Sequence, residues 1–168
     1  TSFATKAVGM RQRMEQLGNG DSPDARHICL GDVVSTQIET QGGALISLTH
    51  DTSLPRPRSL DFEVQGTRGL WDGVNRRIYI EGSSERETWE DDAPYISRYD
   101  SLYWQRWGRE AVEQDSHHKG MDYIMLRAIE DDMQGGIAYP ATLDDLALWT
   151  SVSVLSEQSI KEHRRIEL

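Results

Sequence analysis

Cysteine is nearly missing from this sequence: Cys29 is the only one in 168 residues. An internal disulfide framework is therefore ruled out, and a chain so poor in cysteine suits cytoplasm and periplasm alike. Positive charge is also scarce. Eighteen Lys and Arg face 28 Asp and Glu, a net charge of −10, so the overall field repels nucleic acid and anionic lipid. No apolar run approaches the roughly 18 residues that a membrane-spanning helix needs, and no signal peptide, internal repeat or low-complexity segment is visible. The dinucleotide fingerprint is missing too. Gly18-Asn19-Gly20 begins like one, but Pro23 stands where the third glycine belongs and no apolar strand leads in.

What is present is ordinary for a folded, water-soluble chain: 37% hydrophobic and 27% charged residues. The length suits one domain able to bury about 70% of its unfolded surface. The start at Thr1, with Thr-Ser-Phe-Ala-Thr-Lys reading like a strand entering a loop, suggests a fragment or a processed protein.

Residues 5–17 are predicted to form a short helix with a weak apolar side (Val8, Met14, Leu17), followed by a loop over 18–24. The middle alternates as strands do. Val34, Thr36 and Ile38 share a face, Gly42-Gly43 marks a hairpin, and Ala44, Ile46, Leu48 and His50 continue it. After a Pro-Arg-Pro turn, Leu60, Phe62 and Val64 alternate with polar residues, and Ile78 and Ile80 mark a further strand. Together these predict an antiparallel meander with one face covered. Residues 83–118, rich in acids and aromatics, read as irregular. A helix over 120–134 shows apolar spacing and stops at Gly135-Gly136. Another starts at Thr142 with Asp145 as an acidic capping box, and is apolar nearly all round, hence buried on more than one side. Strands first and helices last predict an α+β fold: an open, mainly antiparallel sheet with helices packed on one face.

Several groupings bear on chemistry. His117-His118 precede a helix and His50-Asp51 end a strand, but their spacing fits no metal motif, so hydrogen-bonded or solvated histidines are the reading and no metal is expected. Asp91-Asp92 and Asp131-Asp132 read as solvated acids, and Asp144-Asp145 as serving a helix start. The aromatic cluster from Tyr95 to Trp107 suits packing better than a sugar platform. The turn Leu54-Pro55-Arg56-Pro57-Arg58-Ser59 is more informative. Its two prolines fix φ and push Leu54 and Arg56 towards extended geometry, holding Arg56 and Arg58 in set directions. A guanidinium fork suits carboxylate, phosphate or sugar hydroxyls. On these residues alone, a ligand-holding turn and a rigid edge turn with acid-paired arginines remain equally open.

Five motifs occur in a set order: Leu-Gly-Asp-Val-Val (30–34), Thr-His-Asp-Thr-Ser-Leu-Pro-Arg-Pro-Arg-Ser (49–59), Val-Gln-Gly-Thr-Arg-Gly (64–69), Ile-Tyr-Ile-Glu-Gly (78–82) and His-Lys-Gly-Met-Asp-Tyr (118–123). The set resembles the C-terminal domain of glycoside hydrolase family 109, the NAD-dependent α-N-acetylgalactosaminidases of the Gfo/Idh/MocA oxidoreductase superfamily, over nearly the whole chain. The resemblance implies that residues 1–168 are a single substrate-side and oligomerisation domain with the Gfo/Idh/MocA C-terminal fold. A Rossmann domain absent from this chain would hold most of the NAD. It implies a carbohydrate substrate, a homo-oligomer formed through the sheet, and a bacterial-type soluble protein of the periplasm or cytoplasm. It also implies a redox mechanism, in which the sugar is transiently oxidised at C3, eliminated and rehydrated. The family's catalytic histidine segment would lie before Thr1, leaving no catalytic residue in this chain and the fragment alone inactive. Substrate contacts carried over are Arg58, which replaces the family's tyrosine, Arg56, and His118 as a pocket-side polar group. Asp122 supports a helix start. His117 and Lys119 replace family glycines, a second sign of an altered sugar. The rival readings are a sugar dehydrogenase of the same superfamily and a non-catalytic sugar-binding or assembly module.

Overall fold

A computed structural model describes residues 1–51, 53–57, 59–114 and 117–167, without the side chains of Ala25, Arg26 and His117. The chain divides into two compact units. One comprises Thr1–Arg56 with Ala141–Leu168, the other Pro57–Pro140.

In the first unit, Ser2–Ala4 (β1), Val33–Glu39 (β2) and Leu45–Asp51 (β3) form an antiparallel sheet in that order. The expected Gly42-Gly43 hairpin joins β2 to β3: Gly43 takes a φ of 80° and Thr40 N–H donates to Ala44 O at 2.9 Å. Val34 and Thr36 are buried, as the alternation predicts, whereas β3 is an exposed edge. Helices Val8–Gln16 (α1) and Pro23–Arg26 (α2) lie between β1 and β2. The first turn of α1 has free N–H groups, and the Asp32 carboxylate accepts three of them: Val8 at 2.8 Å, Gly9 at 2.7 Å and Met10 at 3.0 Å. These bonds, that from Gly9 foremost, hold its carboxyl below the usual range, as expected for an anion at a helix N-terminus.

The last helix of the chain, Leu143–Glu162 (α6), opens with the expected capping box. Asp145 N–H donates to Thr142 Oγ1 at 3.1 Å and Thr142 N–H to Asp145 Oδ2 at 2.8 Å. Its packing differs from expectation. The buried positions are Ser156 and Ser159, while Leu143, Trp149 and Val154 are 83%, 59% and 65% exposed. Small side chains let the helix approach β1 and β2 through hydroxyls: Ser2 N–H donates to Ser159 Oγ at 3.0 Å, and Thr36 Oγ1 bonds both Ser2 Oγ (2.9 Å) and Ser156 Oγ (3.0 Å). A buried hydroxyl network of this kind is stable because its members satisfy each other.

The second unit holds Glu63–Gly66 (β4), Gly69–Asp72 (β5), Arg77–Ile80 (β6) and Glu90–Asp91 (β7), an antiparallel sheet in sequence order. The single meander expected from sequence is thus two small sheets, and the α+β class holds. Pro55 and Pro57 lack the N–H groups a ladder requires, and Asp61 takes a φ of 43°, which breaks the extended run at 60–62 and delays β4 to Glu63. Residues 83–118, expected to be irregular, contain helices Ala93–Tyr99 (α3) and Leu102–Gln114 (α4). Tyr103, Trp104, Trp107 and Ala111 fall on one face of α4, and Trp107 and Ala111 pack with Ile124 and Ala128 of helix Met121–Met133 (α5) into the core of this unit. The aromatics serve packing here. Among the described residues, no helix is long and apolar enough to cross a membrane.

Two of the acids read as solvated are built in. Asp92 is fully buried. Its Oδ2 accepts Trp71 Nε1–H at 2.8 Å, and Oδ1 lies 3.0 Å from Arg76 Nη2, a charge contact without hydrogen-bond alignment. Asp131 accepts Ile137 N–H at 2.9 Å and pairs with Arg106 at 3.0 Å. Asp72 organises the β5–β6 turn in the same way. Asn75 Nδ2 at 2.7 Å, the backbone N–H of Asn75 at 3.1 Å and Arg77 Nε at 2.8 Å lower its pKa to about 2. A carboxylate depressed on folding adds stability above its unfolded pKa, and that stability is lost as pH falls through the folded value. The Asp72 contribution is therefore complete above about pH 4 and fades towards about pH 2. Asp72→Asn is expected to lower the unfolding midpoint at pH 7 and to flatten its dependence on pH between 4 and 2; parallel thermal melts across that range check it.

Candidate functional site

The sequence-derived site residues fall in both units, and each neighbourhood stands by itself. In the first unit β3 ends at His50 and Asp51, and the stiff turn begins. Asp51 Oδ1 accepts Leu54 N–H at 3.3 Å, and Asp51 Oδ2 lies 3.7 Å from Arg56 Nη1. The acid side chain is 10% exposed and the arginine 38%. Leu54 rests against Gly9, where a Cβ would come within 2.8 Å of Leu54 Cδ2. Asp32, clamping α1, stands 3.3 Å from the same point. Thus the Leu-Gly-Asp motif and the Pro-Arg-Pro turn are parts of one local construction: Asp32 fixes α1, α1 seats Leu54, and Asp51 holds both the turn backbone and Arg56. Arg58 lies outside the described residues.

In the second unit the His-Lys-Gly motif forms a tight turn, His117–Gly120, between α4 and α5. Three successive residues are left-handed there: His118 (φ 47°, ψ 21°), Lys119 (φ 57°, ψ 35°) and Gly120 (φ 86°, ψ 1°). For a residue with a Cβ this conformation costs about 1–2 kcal/mol, and strain of this kind gathers at functional sites. Gly120 is the pivot. A Cβ there would lie 2.8 Å from the carbonyl carbon of Ala111, which is itself fully buried. The turn is thereby pressed onto the α4–α5 core.

His118 projects outward, half exposed, and its Nδ1 lies 2.8 Å from Asp122 Oδ2 in the first turn of α5. An ionised carboxylate only accepts hydrogen bonds, so Nδ1 carries the proton and Nε2 remains for other chemistry. A histidine oriented by a carboxylate in this way is suited to accept a proton at Nε2 when neutral and to donate one there when protonated. Sequence reasoning assigned Asp122 to the helix start, where it does lie; its bond to His118 was missed. The available signal was the spacing of four residues, which also brings side chains together around a helix start.

Lys119 has a side chain that its backbone conformation disfavours. Lys119→Gly is expected to stabilise the chain by roughly 0.5–1 kcal/mol, the relief of left-handed strain less the extra freedom of glycine in the unfolded state. For a chain of this size that is about 1–4 °C in the unfolding midpoint, measurable by calorimetry.

His50 belongs to one unit and His118 to the other, and among the described residues no three His, Cys, Asp or Glu side chains gather in a way that would hold a metal. Gly18-Asn19-Gly20 follows the end of α1 rather than a strand, so the strand–glycine turn–helix cradle for a dinucleotide pyrophosphate is not formed there.

The family model described as "Glycosyl hydrolase 109, C-terminal domain" matches residues 1–167. An "Alpha-N-acetylgalactosaminidase" of Tannerella forsythia is 38% identical over 161 residues, which is 95% of this chain and 34% of that protein. A "Glycosyl hydrolase family 109 protein" of Stenotrophomonas maltophilia (strain K279a) is 37% identical over 95% of this chain and 35% of its own length. One of Saccharopolyspora erythraea is 33% identical over 97% of this chain and 35% of its own length. The chain spans about a third of the length of these relatives.

Proposed function

This chain belongs to the glycosyl hydrolase 109 family as its C-terminal domain, and on that premise we propose that the full-length protein cleaves an α-N-acetylgalactosaminide-like glycoside, with this chain supplying substrate contacts and, in departure from the expectation that every catalytic residue lies before Thr1, an acid–base group in His118, expected from sequence only as a pocket-side polar group. The His118–Asp122 pair, held on the strained turn above α5, is the observation that carries the proposal. Breaking a glycosidic bond requires a proton for the departing oxygen. Protonated His118 donates it from Nε2, the neutral imidazole then takes a proton from the incoming water, and Asp122 keeps Nδ1–H throughout.

Arg56 and Arg58 are proposed to orient the sugar from the stiff turn. Asp51 sets the direction of the Arg56 guanidinium. Arg58 stands where the resembled family has tyrosine, so it favours a sugar bearing an anionic group, carboxylate or sulfate. NAD is proposed to bind in the remainder of the full-length protein, where it would supply transient oxidation and reduction of the sugar. A Gfo/Idh/MocA-type C-terminal fold and a homo-oligomer formed through the sheet belong to the same reading, supported by the exposed apolar residues Leu45, Ile46 and Leu48 on the edge strand β3.

Arg58→Tyr in the full-length enzyme tests the substrate side. The expected result is a shift of about tenfold or more in relative kcat/KM, away from an anionic aryl glycoside and towards the neutral N-acetylgalactosaminide. Unchanged affinity and preference would reduce the turn to a connection.

A further inference from the structure

We propose that Asp122 is a positioning residue: it fixes the tautomer and direction of the His118 ring so that Nε2 faces the substrate. The inference rests on the reading of His118 as the acid–base group and goes one step beyond it. An acid in the first turn of a helix has an ordinary use, favouring the positive end of the dipole, and that use needs no partner. Asp122 nevertheless brings Oδ2 to 2.8 Å from His118 Nδ1. The contact is made across a left-handed turn, not along one continuous helical face. His118 and Lys119 both take positive φ values, and Gly120 lies too close to Ala111 to accept a Cβ. Relaxing the two strained residues would move the ring away from Asp122. The backbone is held in a costly conformation, and this bond is a specific consequence of it.

The exposure of the pair argues in the same direction. His118 and Asp122 side chains are 52% and 54% exposed, so water and salt screen their attraction and it adds little to folding. Orientation remains as the use. Without an acceptor, the ring turns about its side-chain bonds and both neutral tautomers are populated, which places the proton on the wrong nitrogen for part of the time.

The test uses the full-length protein with NAD and an aryl α-N-acetylgalactosaminide, comparing Asp122→Ala, Asp122→Asn, His118→Ala and the double alanine variant. Asp122→Ala is expected to lower kcat by about 10- to 100-fold, a part of the general acid–base contribution, with KM within about twofold and the unfolding midpoint nearly unchanged. Asp122→Asn keeps an oxygen acceptor but also offers N–H donors, so it should fall between. The double variant should be no slower than His118→Ala, because the carboxylate acts only through the ring. Nitrogen NMR of the imidazole in full-length protein should show Nδ1–H in the wild type and mixed tautomers in Asp122→Ala; this readout needs no turnover.

If His118→Ala is slow while Asp122→Ala keeps full kcat, or if the two losses multiply in the double variant, the positioning role fails and the acid–base reading stands. If His118→Ala keeps full kcat, the acid–base reading itself fails. Unchanged tautomers in Asp122→Ala overturn the inference in either case. Should the alanine variant not fold, Asp122→Asn carries the same comparisons: wild-type kcat with an unmixed Nδ1–H tautomer overturns the role, and reduced kcat with mixed tautomers supports it.

Discussion

Replacing His118 with alanine in the full-length enzyme is expected to lower kcat on an aryl α-N-acetylgalactosaminide by about 10²–10⁴-fold, the usual size of a general acid–base contribution. The reason is local. His118 is half exposed, and its outward position comes from a turn with two non-glycine residues in left-handed geometry. A purely structural residue would be expected on the buried side of that turn, where Gly120 meets Ala111. Truncating the imidazole removes no core contact, so the unfolding midpoint should change little or rise slightly. Loss of turnover with retained stability separates a chemical role from a scaffold role. Leaving-group dependence sharpens the test: substrates with acidic phenols need little protonation and should lose less than those with poor leaving groups.

The second large effect concerns folding. Gly31→Ala is expected to destabilise the chain by about 3 kcal/mol or more, as severe overpacking does, a fall of roughly 6–12 °C in the unfolding midpoint. A Cβ on Gly31 would stand 2.2 Å from the carbonyl oxygen of Thr5 and 3.0 Å from its nitrogen. Both obstacles are backbone, so no side chain can swing aside. Thr5 N–H donates to Val33 O at 3.0 Å, and Val33 N–H to Thr5 Oγ1 at 3.0 Å, so shifting this segment breaks bonds on both sides. Next to it, Asp32 would lose its place at the start of α1, and Leu54 its seat against Gly9. The variant therefore disturbs the Pro-Arg-Pro turn from a distance, and thermal unfolding with urea melts alongside reports it.

Local chemistry was the part of this fold open to reading. The Thr142–Asp145 capping box, the Gly42-Gly43 hairpin and the stop at Gly135 each depend on a few adjacent residues, and each was found. The α6 helix shows where such reading ends. Its leucines and Trp149 mark a side suited to burial, but which side faces β1 depended on the fit of Ser156 and Ser159 to Ser2 and Thr36, four residues far apart in sequence. The helices α3 and α4 were hidden because acids and arginines interrupt their aromatics; Trp107 becomes core only when α5 supplies Ile124 and Ala128. At the candidate site, His118 was legible by resemblance and Asp122 by position, while the bond between them depends on backbone hand at residues 118–120. The acids Asp92 and Asp131 were misread for a related reason: doublets look solvated until distant partners, Trp71 and Arg106, are brought to them. Arg58 breaks the pattern of the resembled family, a property of sequence alone.

Glycoside cleavage by the full-length protein is the central claim, and product analysis with an aryl α-N-acetylgalactosaminide and bound NAD tests it most directly. The expected result is one free sugar for each phenol released, over many turnovers, with no net build-up of NADH. NADH accumulating from the sugar without phenol release would contradict it and identify a dehydrogenase. Binding of the sugar with neither product would contradict it as well and leave a carbohydrate-binding module.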